Sequence, residues 1–195
     1  MILGFTGPAR SGKDTAAEMA IVALYNIHKI SRIEKYAFAD PLKHAAAAMF
    51  GVDVKLMYSD DKDQIDPFWG ISYREMLQKL GTEGGRQLFF DDIWVRRAKL
   101  EYDTFMQESI YTESPHNIFV ITDVRFNNEA DWIREEGGEI IHIDRSISGL
   151  SSTAKQHASE MGVYQYDGDL IVHNDGSKKS LQNIVEVFID MIINN

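Results

Sequence analysis

Short runs of strand-forming residues alternate along this chain with longer stretches in which apolar residues recur at helical spacing. The predicted strands lie at 2–6, 33–38, 117–122, 139–144 and 170–173. Predicted helices cover 13–28, a segment opening at 40, a segment opening at 72, 92–107, about 126–136 and 178–193. Because strands alternate with helices, we expect a mostly parallel sheet covered on both faces.

Two helix starts and two loops are marked by their local sequence. Asp40 is predicted to cap the second helix, with Pro41 in its first turn. Ser72 and Glu75 have the spacing of a capping box, in which each side chain bonds the other residue's backbone N–H. The polar segments 58–70 and 146–168 are predicted to be loops. The second is either a mobile cover over a ligand site or an ordinary surface loop.

Composition narrows the class of protein. The chain has 195 residues, 44% hydrophobic and 26% charged, which fits one soluble α/β domain. No apolar run approaches the ~18–20 residues that span a bilayer, and we expect no signal peptide, because no basic segment and apolar run come before the first strand. The absence of cysteine excludes disulfides and thiolate metal sites and is compatible with a reducing cytoplasm. A net charge of −10 without a basic stripe argues against a nucleic-acid partner.

The segment Gly7-Pro8-Ala9-Arg10-Ser11-Gly12-Lys13-Asp14-Thr15 joins the first strand to the first helix. It matches a phosphate-binding loop, whose pattern is Gly, four residues, Gly-Lys, then Ser or Thr. Asp14 takes the place of the expected hydroxyl residue and Thr15 follows it. The strand, glycine loop and helix context supports the motif over a plain glycine-rich turn.

Each member of this loop has a physical task. Gly7 and Gly12 let the backbone turn so that N–H groups point at phosphate oxygens, and the helix N-terminus adds partial positive charge. We expect Lys13 to reach the β- and γ-phosphates of a nucleoside triphosphate. Thr15 would place its hydroxyl near Mg²⁺, directly or through water. Asp14 either caps the helix or helps to hold Mg²⁺ or its waters.

Ligands of open α/β sheets bind beyond the carboxyl ends of the strands. The residues predicted to lie there are 38–43, Asp123, Arg125, Arg145 and Asn174. Asp123 is either an acid that organises Mg²⁺ or a helix cap. Arg125 is either a fork for a substrate phosphate or an ion-pair partner of Asp123. Being two residues apart in an extended stretch, both should point to the same side.

Other candidates have weaker signals. Arg74 and Arg86 bracket a predicted helix, where an arginine is usually solvated or in a surface ion pair. Lys43 lies in the first turns of a helix, where the dipole does not favour a cation, so an anionic partner is expected. Trp94 and Phe38 either stack on a base or belong to the core.

Four segments together resemble the phage-type deoxynucleoside monophosphate kinases: residues 7–15, 38–43, 77–86 and 121–129. Gly-Lys-Asp-Thr and Asp-Val-Arg-Phe are the most specific parts, and 169–176 is similar to the end of many nucleoside monophosphate kinases. The resemblance spans nearly the whole chain. It implies a three-layer phosphate-loop kinase fold with a five-stranded parallel sheet, within a single domain 1–195. A substrate-binding helical insertion would occupy about 40–110 and a short lid about 146–168.

The resemblance also implies an activity and a set of residues. The γ-phosphate of ATP would pass to a deoxynucleoside monophosphate (dNMP) to give the diphosphate (dNDP), with Mg²⁺ accompanying ATP, for deoxynucleotide supply. ATP would be bound by Gly7, Ala9, Arg10, Ser11, Gly12, Lys13, Asp14, Thr15 and Asn174. The dNMP would be bound by Asp40, Lys43, Arg74, Gln78, Arg86, Trp94, Asp123, Arg125 and Glu129. Lys13, Asp123 and Arg125 would act in catalysis, and Thr15 and Asp14 are the Mg²⁺ candidates.

One departure concerns the lid. Related kinases often carry an arginine-rich lid, whereas 146–168 contains Lys155 and His157 but no arginine. Arg145 lies just before the segment, so lid chemistry is reduced or relies on Arg145 and Lys155. No second histidine is spaced to make a metal site with His157.

Three questions stay open at this point. A dephospho-coenzyme A kinase or another small-molecule kinase would share the loop and the parallel sheet. A nucleotide-binding regulator without a second substrate is the alternative of another class, although the Asn-Lys-x-Asp guanine reader of GTPase switches is absent from the sequence. The apolar helices at 92–107 and 178–193 would each allow a homodimer. We expect a cytoplasmic enzyme, in the host cytoplasm if a phage encodes it.

Overall fold

The computed structural model describes residues 1–59, 61–109, 111, 116–146 and 162–194. The chain divides into two compact units. The first consists of Met1–Ala37 and Glu101–Asn195, and the second of Phe38–Leu100. The second unit is therefore inserted into the first along the chain. None of the helices in these described ranges is long and apolar enough to cross a membrane.

The first unit is built on a five-stranded sheet. Its strands are β1 (Ile2–Thr6), β2 (Arg32–Tyr36), β3 (Asn117–Val124), β4 (Glu139–Asp144) and β5 (Leu170–His173). Their order is β2-β3-β1-β4-β5, and every neighbouring pair is parallel. The predicted five-stranded parallel sheet is confirmed. Because β1 is central, the loop that follows it lies between the carboxyl ends of β3 and β4.

Helices cover both faces of this sheet, as predicted. They are α1 (Lys13–Asn26), α6 (Asn127–Glu135), α7 (Lys178–Asn194) and the later part of α5 (Ile93–Ser109). On one face Leu3 and Phe5 share a core with α1 and α7. On the other face the ring of Phe119 lies 5.5 Å from that of Tyr102 in α5. This alternation of partners along each strand follows the two-residue period of a β-strand.

The second unit is helical. It contains α2 (Ala39–Phe50), α3 (Val54–Tyr58), α4 (Tyr73–Gln78), a π-helix (Lys79–Phe89) and the start of α5. Its small core joins Ala46, Met57, Tyr73 and Met76. The hydroxyl of Ser72 accepts the N–H of Glu75 at 3.2 Å, so the helix start predicted there is confirmed. The short helix α3 was not predicted.

Two local predictions in this unit are wrong. Asp40 does not cap α2, because the helix begins at Ala39 and the capping position is held by Phe38, which has no polar side chain. The Asp40 carboxylate accepts side-chain donors instead, as described below. The helix that starts after Ser72 also does not continue as an α-helix. At Lys79 it passes into the wider π-helix, in a stretch whose glycines disfavour α-helix.

Candidate functional site

The loop after β1 has the backbone that its two glycines were predicted to provide. Gly7 has φ 149° and Gly12 has φ 95°, values that favour glycine. A Cβ on Gly7 would lie 2.4 Å from the backbone oxygen of Ile143, and one on Gly12 would lie 2.5 Å from Nδ2 of Asn174. Arg10 between them also has a positive φ, 64°. The two glycines of the motif are therefore required both by the backbone angles of the loop and by the lack of room for a Cβ.

Asn174, the residue that follows β5, holds the backbone of this loop. Its buried Nδ2 donates to the backbone oxygen of Ser11 at 2.7 Å, while its own N–H donates to the oxygen of Asp144 at 2.7 Å. The N–H of Ser11 donates to the oxygen of Pro8 at 3.1 Å. The side chain that was predicted to bind ATP thus holds the loop backbone itself.

Removal of this brace gives a first testable prediction. Asn174→Ala leaves the buried Ser11 oxygen without its donor, which costs about 1–3 kcal/mol and loosens the loop. We expect ATP to bind several-fold more weakly, measured by calorimetric titration. Asn194→Ala is the matched control, because Asn194 donates to Asp190 on an exposed turn of α7. Equal ATP affinities for the two variants would contradict the bracing role.

The residues at the start of α1 differ in exposure. Lys13 is the first residue of the helix and only 7% exposed, whereas Asp14 is exposed and Thr15 is half-buried. The capping position of α1 belongs to Gly12, which has no side chain, so Asp14 is not the helix cap. Its second proposed task, at Mg²⁺, stays a prediction. Backbone N–H groups and the helix dipole add to the charge of Lys13 in favouring an anion here.

Asp123 lies inside β3 rather than after it, because this strand continues to Val124. The register with β1 pairs Gly4 with Ile121 but Thr6 with Val124, so β3 carries one extra residue there. Such a bulge re-aims side chains at sheet edges and active sites. Since Thr6 directly precedes the loop, the buried Asp123 lies beside the start of the loop. Phe126 holds the capping position of α6, so Asp123 is not that helix's cap.

Glu129 fixes the backbone around Arg125. Its carboxyl group is 1% exposed, and Oε2 accepts the N–H of Arg125 at 2.8 Å and of Phe126 at 3.1 Å. Glu129 was predicted to lie around the dNMP, and in the structure its Oε2 is bonded to the backbone of its own chain. Arg125 lies beyond β3, where strand alternation no longer sets the direction of its side chain, so the expected same-side pairing with Asp123 stays a prediction.

A buried charged cluster that the sequence analysis missed is centred on Asp169. Nε and Nη2 of Arg134 donate to its two oxygens at 3.0 and 2.7 Å, and Nε2 of His142 lies 2.9 Å from Oδ2. The N–H of Tyr166 adds a bond at 3.0 Å. Burial would raise the pKa of Asp169, but these hydrogen bonds outweigh it and the pKa lies below its ordinary value. The cluster ties residues 164–169 to α6 and β4.

The ends of the segment predicted as a lid are described, and its middle is not. At the first end the N–H and hydroxyl of Ser146 donate to Asp175 at 2.8 and 2.9 Å, and these bonds lower the pKa of Asp175. Arg145 is exposed after β4. Lys155 and His157 lie outside the described residues, so their predicted roles are untested.

In the second unit, Asp40 and Lys43 form a cluster with Tyr58. Nζ of Lys43 donates to Oδ1 of Asp40 at 2.9 Å and lies 4.0 Å from the centre of the Tyr58 ring. The Tyr58 hydroxyl donates to the same oxygen at 2.8 Å. The anionic partner expected for Lys43 is thus Asp40 in this structure. Tyr58 was not predicted, because nothing in the sequence links positions that lie 18 residues apart.

The remaining candidates of this unit have partners of different kinds. Arg74 makes two bonds to the carboxylate of Asp63, at 2.6 and 3.3 Å, and these lower the pKa of that aspartate. Nη1 of Arg86 donates to the oxygen of Asp91 at 3.2 Å. Gln78 is the last residue of α4. The indole N–H of Trp94 donates to the oxygen of Gly81 at 3.0 Å, which places its ring against the π-helix.

Comparisons with known proteins agree on one family. The family model described as deoxynucleotide monophosphate kinase matches residues 60–185. A protein of Acanthamoeba polyphaga mimivirus, named provisionally as a deoxynucleotide monophosphate kinase, is 34% identical over 86% of this chain and 86% of its own length. The deoxynucleotide monophosphate kinase of Escherichia phage RB69 is 35% identical over 64% of this chain and 46% of its own length. The deoxynucleoside-5'-monophosphate kinase of Escherichia phage T5 is 28% identical over 84% of this chain and 85% of its own.

Proposed function

Because the chain belongs to the deoxynucleotide monophosphate kinase family, we propose that it transfers the γ-phosphate of ATP to a dNMP and releases ADP and the dNDP. The observation that carries this proposal is the loop after β1. Its glycines have backbone angles that favour glycine, and Lys13 begins α1 directly behind them. This arrangement of backbone N–H groups, helix N-terminus and lysine suits a polyphosphate.

The donor side is assigned to the first unit. The loop amides and Lys13 would hold the ATP phosphates, with Arg10 and Thr15 beside them. Among the described residues no group of three or more acidic, histidine or cysteine side chains is placed to hold a metal ion. Mg²⁺ that accompanies ATP is usually held by substrate phosphates, waters and only one or two protein groups. Thr15 and Asp14 are our candidates for these protein groups, which would bind Mg²⁺ directly or through water.

The residues proposed to bind the dNMP are chosen by the charge and hydrogen-bonding groups of their side chains. A monophosphate carries up to two negative charges, and an arginine fork can bind two of its oxygens at once. Arg74 and Arg86 in the second unit are our candidates for that phosphate. Gln78 and the cluster of Asp40 and Lys43 are candidates for the rest of the nucleotide.

The chemistry itself demands little covalent participation from the protein. Phosphoryl transfer depends on in-line positioning and on neutralising the charge of the transferred group. We propose that Lys13 and Arg125 are the cations that neutralise the charge of the transferred group. Asp123, buried beside the start of the loop, would orient groups around the reaction. No separate general base is required by this scheme.

The alternatives are separated by an acceptor panel. With ATP as donor, we expect ADP release to depend on dGMP, dTMP, dCMP or dAMP, followed in a coupled assay. Turnover of dephospho-coenzyme A alone would favour the small-molecule kinase alternative. ATP binding with no acceptor turned over would favour a non-catalytic regulator.

Three expectations accompany this function. We place the enzyme in the cytoplasm, which suits a chain without cysteine. We expect no nucleic-acid partner, because the net charge is −10. A homodimer through the predicted apolar helices stays a prediction, which sedimentation analysis would test.

A further inference from the structure

Trp94 is attached to the π-helix through its indole ring. Its N–H donates to the backbone oxygen of Gly81 at 3.0 Å. A Cβ added to Gly85 would lie 3.1 Å from Cζ2 of the indole, so the ring is in close contact with the helix backbone there. The contact therefore joins the first turn of α5 to two buried glycines of the π-helix. It also makes Trp94 a poor candidate for the base platform considered from the sequence.

The Gly81 oxygen has a second role inside the π-helix. In this helix type each carbonyl accepts the N–H of the residue five positions later. For Gly81 that residue is Arg86, so π-helical pairing would bring the backbone N–H of the arginine to the oxygen that accepts the indole N–H. The side chain of Arg86 then reaches the oxygen of Asp91 at 3.2 Å, just before α5. Trp94 thus binds a carbonyl of the same helix that carries Arg86, five residues before the arginine.

A π-helix is an uncommon conformation that recurs at functional sites, and this one extends over 11 residues. Its three glycines lose much conformational freedom when the helix forms. A hydrogen-bond donor from outside the segment favours the π-helix over other conformations of the segment if it can bond the Gly81 oxygen only in the π-helix. The indole supplies such a donor from a neighbouring helix.

We propose that Trp94 is a positioning residue for the acceptor phosphate: it locks the π-helix and thereby sets the place of Arg86. The inference rests on the proposed kinase function, in which Arg86 binds the phosphate of the dNMP. Trp94 itself does not touch the substrate in this scheme. A displacement of a binding group by about 1 Å is enough to change catalysis up to about 100-fold, so a small shift of Arg86 is measurable.

Trp94→Phe tests the proposal, since it removes the indole N–H and keeps an aromatic ring. We expect KM for the dNMP to rise about tenfold and KM for ATP to stay within about twofold of wild type. A purely structural defect would lower the amount of active enzyme, and hence kcat, without separating the two KM values. Trp69→Phe is the matched control, because the Trp69 indole N–H also donates to a backbone oxygen at 3.0 Å, that of Phe50. We expect this control to leave both KM values unchanged.

A pair of glycines keeps the proposal testable if Trp94→Phe does not fold. Gly85→Ala brings its new methyl group to 3.1 Å from both Cζ2 of the indole and the backbone oxygen of Leu80, so it disturbs the packing of the indole on the π-helix and should raise KM for the dNMP in the same way. Gly84→Ala is its control in the same helix, because that methyl group would meet atoms only at 3.5 Å and beyond.

Two outcomes would overturn the inference. If the wild type phosphorylates a dNMP while Trp94→Phe and Gly85→Ala match their controls in KM for the dNMP, only the positioning role is wrong. If the wild type phosphorylates no dNMP, the proposed function is wrong and the positioning role falls with it.

Discussion

Alanine in place of Lys13 is expected to lower kcat for phosphoryl transfer by about 10³-fold or more while leaving the fold intact. Lys13 is the first residue of α1 and only 7% exposed, so its cation is held at the helix N-terminus behind the loop. A cation fixed in this position stabilises the charge of the transferred phosphoryl group more than that of bound ATP. Turnover would be measured with ATP and the accepted dNMP at saturation, with circular dichroism to check the fold.

Lys35→Ala is the control for this result. Lys35 pairs with Glu18 on the surface of the same unit, and both side chains are more than half exposed. Loss of such a pair changes stability by about 1 kcal/mol or less, and we expect turnover to remain at the wild-type level. If Lys13→Ala retained turnover within a few-fold of Lys35→Ala, the loop would not be the donor site.

Removal of Arg134 is expected to lower the free energy of unfolding by about 3–5 kcal/mol. The reason is that Asp169, whose side chain is 6% exposed, would keep its buried charge after losing the guanidinium that makes two of its hydrogen bonds. Urea denaturation of Arg134→Ala would measure the loss.

Arg96→Ala is the matched control. Arg134 pairs with Asp131 one helical turn away and lies over the ring of Tyr166 at 4.5 Å. Arg96 likewise pairs with Asp92 one turn away and lies over the ring of Phe90 at 4.2 Å. Its side chain is 56% exposed, against 22% for Arg134, and it reaches no buried carboxylate among the described residues. We expect a loss of about 1 kcal/mol or less. Similar losses in the two variants would show that the Asp169 cluster adds nothing beyond a surface pair.

The pH dependence of this stability has a definite sign. The pKa of Asp169 is lowered in the folded protein, so its contribution is present above the unfolded-state pKa of about 3.9. That contribution is lost as pH falls through the lower, folded-state pKa. The difference in stability between wild type and Arg134→Ala should therefore shrink in acid, which urea denaturation at neutral and acidic pH would show.

The sheet could be predicted because its signals are local. The predicted bounds of β1, β4 and β5 agree with the structure residue for residue. β1 is buried throughout and β4 over its four central residues, so the sequence displays both as mostly apolar runs. β5 is a short apolar run at the edge of the sheet, where Val172 is the buried residue. The loop after β1 could be predicted equally well, since its backbone requires glycine at positions 7 and 12 and the sequence has Gly7 and Gly12 there.

Features that depend on tertiary partners could not be predicted in the same way. Asp40 has the sequence of a helix cap, but the Tyr58 hydroxyl reaches it from 18 residues away. Asp169 meets Arg134 across 35 residues, a pairing that no periodicity encodes. The bulge in β3 could not be predicted from the sequence either, because it is a shift in the pairing register between β3 and β1. A π-helix pairs each N–H with the carbonyl five residues earlier instead of four, and the Trp94 indole that binds this segment lies 13 residues from Gly81.

The fate of the γ-phosphate distinguishes transfer to a dNMP from hydrolysis of ATP and from binding alone. ATP radiolabelled at that phosphate would be incubated with the enzyme and each dNMP, and the products separated by chromatography. We expect label to appear in the β-phosphate of a dNDP in step with ADP, and Lys13→Ala to form almost none. Label found only in inorganic phosphate, or in no product of any dNMP, would contradict it.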